Sequence, residues 1–161
     1  MAWGTAPASA VFAYAVLNLM GDGTKPTTDH YSVALYGNAI TPDRTVTTAA
    51  LTQWTSAGGT GQWSAATGGE VTGAGYTTGG ASVTPVSVAQ ATNVVTFTSS
   101  GQPSWVAASF TAYGGLVYNT NQSYGTPNTG LCFNYFGGAQ QVSSGTFTLT
   151  WNASGIATFT C

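Results

Sequence analysis

Residues 146–159 read TFTLTWNASGIATF, and this stretch sets the fold class. Phe147, Leu149 and Trp151 alternate with Thr146, Thr148 and Thr150, the period of two that puts apolar side chains on one face of a β-strand and hydroxyls on the other. Asn152-Ala153-Ser154-Gly155 then supplies turn chemistry, and Ile156-Ala157-Thr158-Phe159 resumes the alternation, so the segment reads as a β-hairpin.

The same signature extends upstream. Segments 81–88, 93–98, 104–113, 115–119, 131–136, 146–151 and 156–161 are short, rich in Val, Thr, Phe, Tyr or Trp, and separated by Gly, Asn, Ser or Pro. Residues 30–37, HYSVALYG, add a half-buried strand with Tyr31, Val33 and Leu35 on one side. Thr41-Pro42-Asp43 ends it. Such spacing predicts an all-β, antiparallel β-sandwich or barrel-like domain. Residues 45–53 form a short helix or a loop, and 55–80 are so dense in Gly, Thr, Ser and Ala that they predict a long shaped surface loop. No longer period repeats its anchors, which excludes a solenoid or propeller. At 161 residues and 16.3 kDa, residues 1–161 make one β domain, with 1–20 an N-terminal arm or first strand.

Charge is the most unusual property of the composition. The chain holds two basic and four acidic residues, 4% charged, against about 25% for an ordinary soluble domain. Asp22, Lys25, Asp29, Asp43 and Arg44 cluster together, which leaves Glu70 alone downstream. With so few cations there is no patch to neutralise phosphates, so nucleic acid is excluded as a partner, and an anionic membrane surface with it. The apolar run 8–20 is shorter than the ~20 residues of a membrane-spanning helix and has no Lys or Arg before it, so it reads as part of the fold rather than as a leader.

Catalytic chemistry finds few tools here. His30 is the single histidine; Asp29 beside it would point to the opposite face of a strand and could not orient it. A glycosidase pair would have to come from Asp22, Asp29, Asp43 and Glu70, and three of these sit in turn-like contexts where Asp commonly accepts backbone hydrogen bonds, so no such pair is read. No metal-ligand spacing is present, and no cofactor is implied. The glycine clusters 58–61 and 73–75 lack the setting of a phosphate cradle. Cys132 and Cys161 are either a bridge or two free thiols. Asn121 and Asn152 open glycosylation acceptor triplets, which matter only in a secreted eukaryotic setting.

The aromatics offer two uses. Trp105 and Trp151 lie inside alternating strands and belong to the core. Trp54 and Trp63, in the glycine-rich loop, are the exposed candidates, either as a stacking platform for a host-surface glycan in a carbohydrate-binding module or as anchors of a protein contact. Protein contact is preferred, with Trp3, Val11, Phe12 and Tyr14 of the N-terminal segment and Trp54, Trp63 and Tyr76 of the loop as the interaction residues.

Several motifs occur in a recognisable order: Ser32-Val33-Ala34-Leu35-Tyr36, Thr41-Pro42-Asp43, GEVTGAGYTTGG at 69–80, the segment 105–118 that ends in YGGLVY, and the closing 145–156. In this order the chain resembles a family of small β proteins of tailed bacteriophages, over nearly its whole length. It departs from the commoner pattern in its low charge and in the insertion-like stretch 55–68. The resemblance implies a non-enzymatic virion protein: a head decoration (cement) protein on the outer surface of the phage head, or alternatively a minor tail or head-fibre component. The implied partners are the major capsid protein and further copies of the chain, as a trimer or dimer. A decoration protein stabilises a shell by binding it only when assembled, with many copies acting together. Residues 5–20 would either exchange a strand with a neighbour or form the first core strand.

Overall fold

The computed structural model describes residues 3, 9–20, 27–56, 61–121 and 126–160. It is an all-β structure of antiparallel strands in two sheets. Strands β1 (Ser9–Val11), β2 (Tyr31–Tyr36), β3 (Ala81–Val83), β6 (Ser104–Asn119) and β7 (Gly130–Thr148) form a five-stranded sheet in the order β1-β7-β6-β2-β3. Strands β4 (Val86–Ala91), β5 (Val94–Ser99) and β8 (Ala157–Thr160) form a three-stranded sheet in the order β4-β5-β8. Two helices interrupt the strands, α1 (Ala13–Met20) and α2 (Ala49–Thr52).

β2 is the centre of the molecule. The sequence predicts a half-buried strand, yet Val33, Ala34, Leu35 and Tyr36 are all enclosed. The reason is that both faces of the large sheet are covered. On one face Tyr31 meets Phe97 of β5, with ring centroids 4.9 Å apart, so the small sheet is the covering layer. On the other, Tyr36 packs edge-on against Trp63 at 5.0 Å, and the layer there is the glycine-rich segment. Trp63 also meets Trp3, Phe12 and Phe133 at 6.2, 5.9 and 5.9 Å. Aromatic pairs in such tilted and edge-to-face geometries each contribute about 0.5–1.5 kcal/mol beyond the area they bury. Gly114 makes room for this cluster, since a Cβ there would strike the Trp3 ring and the Asn134 carbonyl.

Three expectations are corrected. The run 8–20 is neither an extended arm nor one strand: β1 pairs with β7 over Ser9–Val11, and the chain then coils into α1, where the Phe12 carbonyl accepts from the Ala15 and Val16 amides. Ala, Leu and Met are strong helix formers, and their apolar character alone does not distinguish strand from short helix. The segments 104–113 and 115–119 are one strand, and 131–136 and 146–148 belong to one longer strand, because β6 and β7 pair through several register shifts rather than ending at their glycines. The final hairpin does not form either. The turn is present, with the Gly155 amide donating to the Asn152 carbonyl at 2.8 Å, but β8 pairs with β5 of the other sheet. Residues 149–151 run instead beside 101–103, held by the Leu149 amide on the Pro103 carbonyl and the Trp151 indole on the Gly101 carbonyl, both at 2.9 Å.

Removing the ring at the middle of the aromatic cluster tests this packing. Trp63→Ala is expected to cost about 3–5 kcal/mol of unfolding free energy in a urea titration. A loss below about 1 kcal/mol would mean that the glycine-rich layer does not pack as described.

Candidate functional site

The one charged side chain beyond residue 44 of this charge-poor chain, Glu70, sits at the heart of the 69–80 motif. Glu70 forms an isolated antiparallel bridge with Tyr36 at the end of β2, and the backbone on either side is tied to β2, with the Gly37 amide on the Gly69 carbonyl and the Val71 amide on the Leu35 carbonyl, both 2.9 Å. Its side chain is buried, 6% exposed. Oε1 accepts from the Tyr76 hydroxyl at 2.7 Å and from the Gly79 amide at 2.6 Å, and Oε2 accepts from the Trp54 indole at 3.0 Å. The network continues outward. The Leu35 amide donates to the Tyr76 hydroxyl at 2.9 Å, and the Tyr118 hydroxyl donates to the Gly79 carbonyl at 2.8 Å. Trp54 stacks on Tyr118 at 5.4 Å. Gly80 completes the motif at φ 78°, where any Cβ would collide with the Val33 carbonyl.

A buried carboxylate needs donors to replace its hydration, and hydrogen bonds to a charged group contribute about 1.5–3 kcal/mol each. Glu70 has three donors from three points of the loop, so it draws Trp54, Tyr76 and Gly79 into one arrangement over the sheet. Its charge acts back on the phenols around it. Burial, and then the negative charge of Glu70, hold Tyr36, Tyr76 and Tyr118 well above the ordinary tyrosine value of 10.0. These hydroxyls stay protonated and stay donors. Both oxygens of the carboxylate are engaged by the protein itself, and the bonds hold the loop against the sheet.

Other ionisable groups among the described residues lie outside this network. Asp29 is buried and accepts from the Asn119 amide at 2.6 Å, while His30 is exposed and its carbonyl accepts from Thr120. Asp43 is exposed and accepts from the Thr45 hydroxyl and amide, which hold its carboxyl below the usual value. Cys132 is a buried free thiol that burial pushes up to about 12; Cys161 lies outside the described residues. Among the described residues no three His, Cys, Asp or Glu come together as metal ligands.

The seven residues selected as contact candidates fall into three groups. Trp3, Phe12 and Trp63 are core residues at 1%, 0% and 0% exposure, which corrects the reading of Trp63 as an exposed ring. Trp54 and Tyr76 are half-buried and committed to Glu70, so Trp54 and Trp63 form no open stacking platform. Val11 and Tyr14 are half-buried at the sheet edge and on α1. Trp105 is in the core as expected, next to Tyr76 at 6.0 Å, and Trp151 is half-buried against it.

The outward features lie elsewhere. Leu17 and Met20 of α1 and Val106 of β6 are exposed, at 63%, 85% and 68%. Between α1 and the small sheet runs an apolar cleft of about 450 Å³, lined by Val16, Leu19, Met20, Tyr31, Phe97 and Phe159 among others. Sequence reasoning noted Glu70 as the lone downstream charge but gave it no structural role, and it did not foresee α1. The available signal for Glu70 was a lone carboxylate set in a glycine-rich stretch flanked by Trp and Tyr. No protein-family model, no curated protein and no solved structure matches this chain.

The raised phenols and thiol fix the alkaline behaviour. A group whose folded value lies above its unfolded one contributes stability that is whole below the unfolded value and is lost as pH rises beyond it. Stability is therefore expected to hold up to about pH 9, the ordinary thiol value, and to fall steeply above 10, with Tyr36, Tyr76 and Tyr118 forming tyrosinate only as the chain unfolds. Tyrosinate formation by Tyr36, Tyr76 and Tyr118 in a chain that stays folded would contradict the network. Glu70→Gln puts an amide donor among donors and is expected to cost about 2–4 kcal/mol by chemical denaturation; an unchanged midpoint would contradict it equally.

Proposed function

We propose that this chain is a non-enzymatic structural protein of a phage virion, a decoration protein that binds the assembled head from outside and stabilises it as a homo-oligomer. The observation that carries the reading is the disposition of charge. Among the described residues Glu70 and Asp29 are buried, and the outward charges are Asp43 and Arg44, side by side in sequence. The rest of the described surface is neutral hydroxyl, amide and methyl, with exposed Leu17, Met20 and Val106.

A surface of this kind neither steers a charged substrate nor repels a neighbouring protein. It is suited to contacts made by shape and hydrogen bonds, repeated over many copies, where modest individual affinities combine. The sequence resemblance to tailed-phage virion proteins points the same way.

Binding through a neutral surface is insensitive to ionic strength, because there is little charge to screen. Purified chain mixed with empty, expanded phage heads is expected to co-sediment with them equally in low and in molar salt, and to raise their disruption temperature. Failure to co-sediment, or binding that salt abolishes, would overturn the reading; co-sedimentation with isolated tails instead of heads would move the chain to the tail.

A further inference from the structure

The two sheets end on the same side of the molecule. β1 pairs only with β7, and β8 pairs only with β5, so among the described residues each is an edge strand with no partner on its outer side. A cleft of about 290 Å³ lies between them, walled by Ser9 and Val11 of β1 and by Ala157 and Thr158 of β8, with Cys132 and Asn134 of β7 also lining it. No charged residue lines it. Thr158 and Thr160 face outward, while Ala157 is buried and Phe159 lines the apolar cleft on the other side.

An unpaired edge is a row of free amides and carbonyls that templates another strand, and proteins guard such edges with short strands, charge, proline or bulges that twist the edge away. Of the other open edges, β1 (Ser9–Val11) and β3 (Ala81–Val83) are only three residues long, too short to template a partner strand. β4 begins directly after Pro85, and β7 beyond Asn134 is broken by register shifts and by Gly137, Gly138 and Ser144 at positive φ. β8, Ala157–Thr160, carries none: no charge, no proline, no positive φ. Asn134 adds a second observation. Its amide lines the cleft, and its one side-chain bond is a weak 3.7 Å contact to the Cys132 sulfur, which leaves most of its donor and acceptor capacity unspent.

We propose that β8 of one copy pairs antiparallel with β8 of a second copy across a two-fold axis, joining two three-stranded sheets into one continuous six-stranded sheet, with Asn134 hydrogen-bonding the added backbone. Antiparallel pairing of a strand with itself is self-complementary and closes after two copies, and neither partner brings a charge that the other would have to desolvate. The proposal deepens the homo-oligomer part of the function proposed above and names the surface that makes it.

Sedimentation equilibrium over a dilution series tests it. The wild-type chain is expected to be a dimer. Thr158→Lys, an exposed edge charge, is expected to be a folded monomer by circular dichroism, whereas Gln90→Lys on the far edge strand β4 remains dimeric. Asn134→Ala is expected to raise the dimer dissociation constant about tenfold, the effect of one lost hydrogen bond. A wild-type monomer at every concentration, a Thr158→Lys dimer as tight as wild type, or equal disruption by Gln90→Lys would each overturn the proposal. The two failures separate cleanly: a dimer that ignores phage heads sinks the decoration reading alone, and a monomer that coats them sinks this one alone.

Discussion

The interaction on which the rest depends is the set of three hydrogen bonds received by the Glu70 carboxylate. The segment 61–80 contributes almost no ladder of its own; it is tied down by isolated bridges and single backbone bonds. Without Glu70 the Trp54 indole, the Tyr76 hydroxyl and the Gly79 amide would lose their partner inside a partly dehydrated layer, each at a cost of about 1–3 kcal/mol. With it, one anion organises three donors that are distant along the loop. The layer then covers the large sheet with Trp63, and β2 becomes a strand enclosed on both faces. Burial of the anion is costly in itself, and the three donors offset that cost by replacing the hydration it loses.

Much of the architecture was legible in the chain. Period-two alternation located β2, β5 and the cores of β6 and β7, and the absence of paired Gly or Pro signals near 49–52 left room for α2. Pairing was harder to read. Residues 146–159 have every local mark of a hairpin, and the turn at Asn152–Gly155 does form, but β8 gains more by extending the small sheet through Val95 and Phe97 than by folding back on Phe147 and Trp151. Gly114-Gly115 and Gly137-Gly138 look like strand ends in sequence and are instead close-packing and bulge positions within long strands. The helix α1 was hidden because an apolar run without caps or charge has no period that an eight-residue window can resolve. The role of Glu70 was hidden for a different reason: its partners lie at 54, 76 and 79, and only the folded loop brings them together.

The 69–80 motif consists of the carboxylate, the tyrosine that donates to it, the glycine amide that donates to it and a glycine required by its backbone conformation. A motif of that composition fastens a loop to a sheet. The aromatic excess, which in sequence suggested sticky patches, is spent in the interior around Trp63 and Trp105. What remains outward among the described residues is a nearly neutral surface, the apolar flank of α1 and open sheet edges.

Native-state amide hydrogen exchange reads the central constraint directly. If the Glu70 carboxylate fastens the glycine-rich layer, the Gly79 amide, though in a segment without regular structure, exchanges as slowly as the β2 amides of Val33 and Leu35 and opens only with them. Exchange of the Gly79 amide at the rate of an unprotected surface loop, while β2 remains protected, would contradict the account.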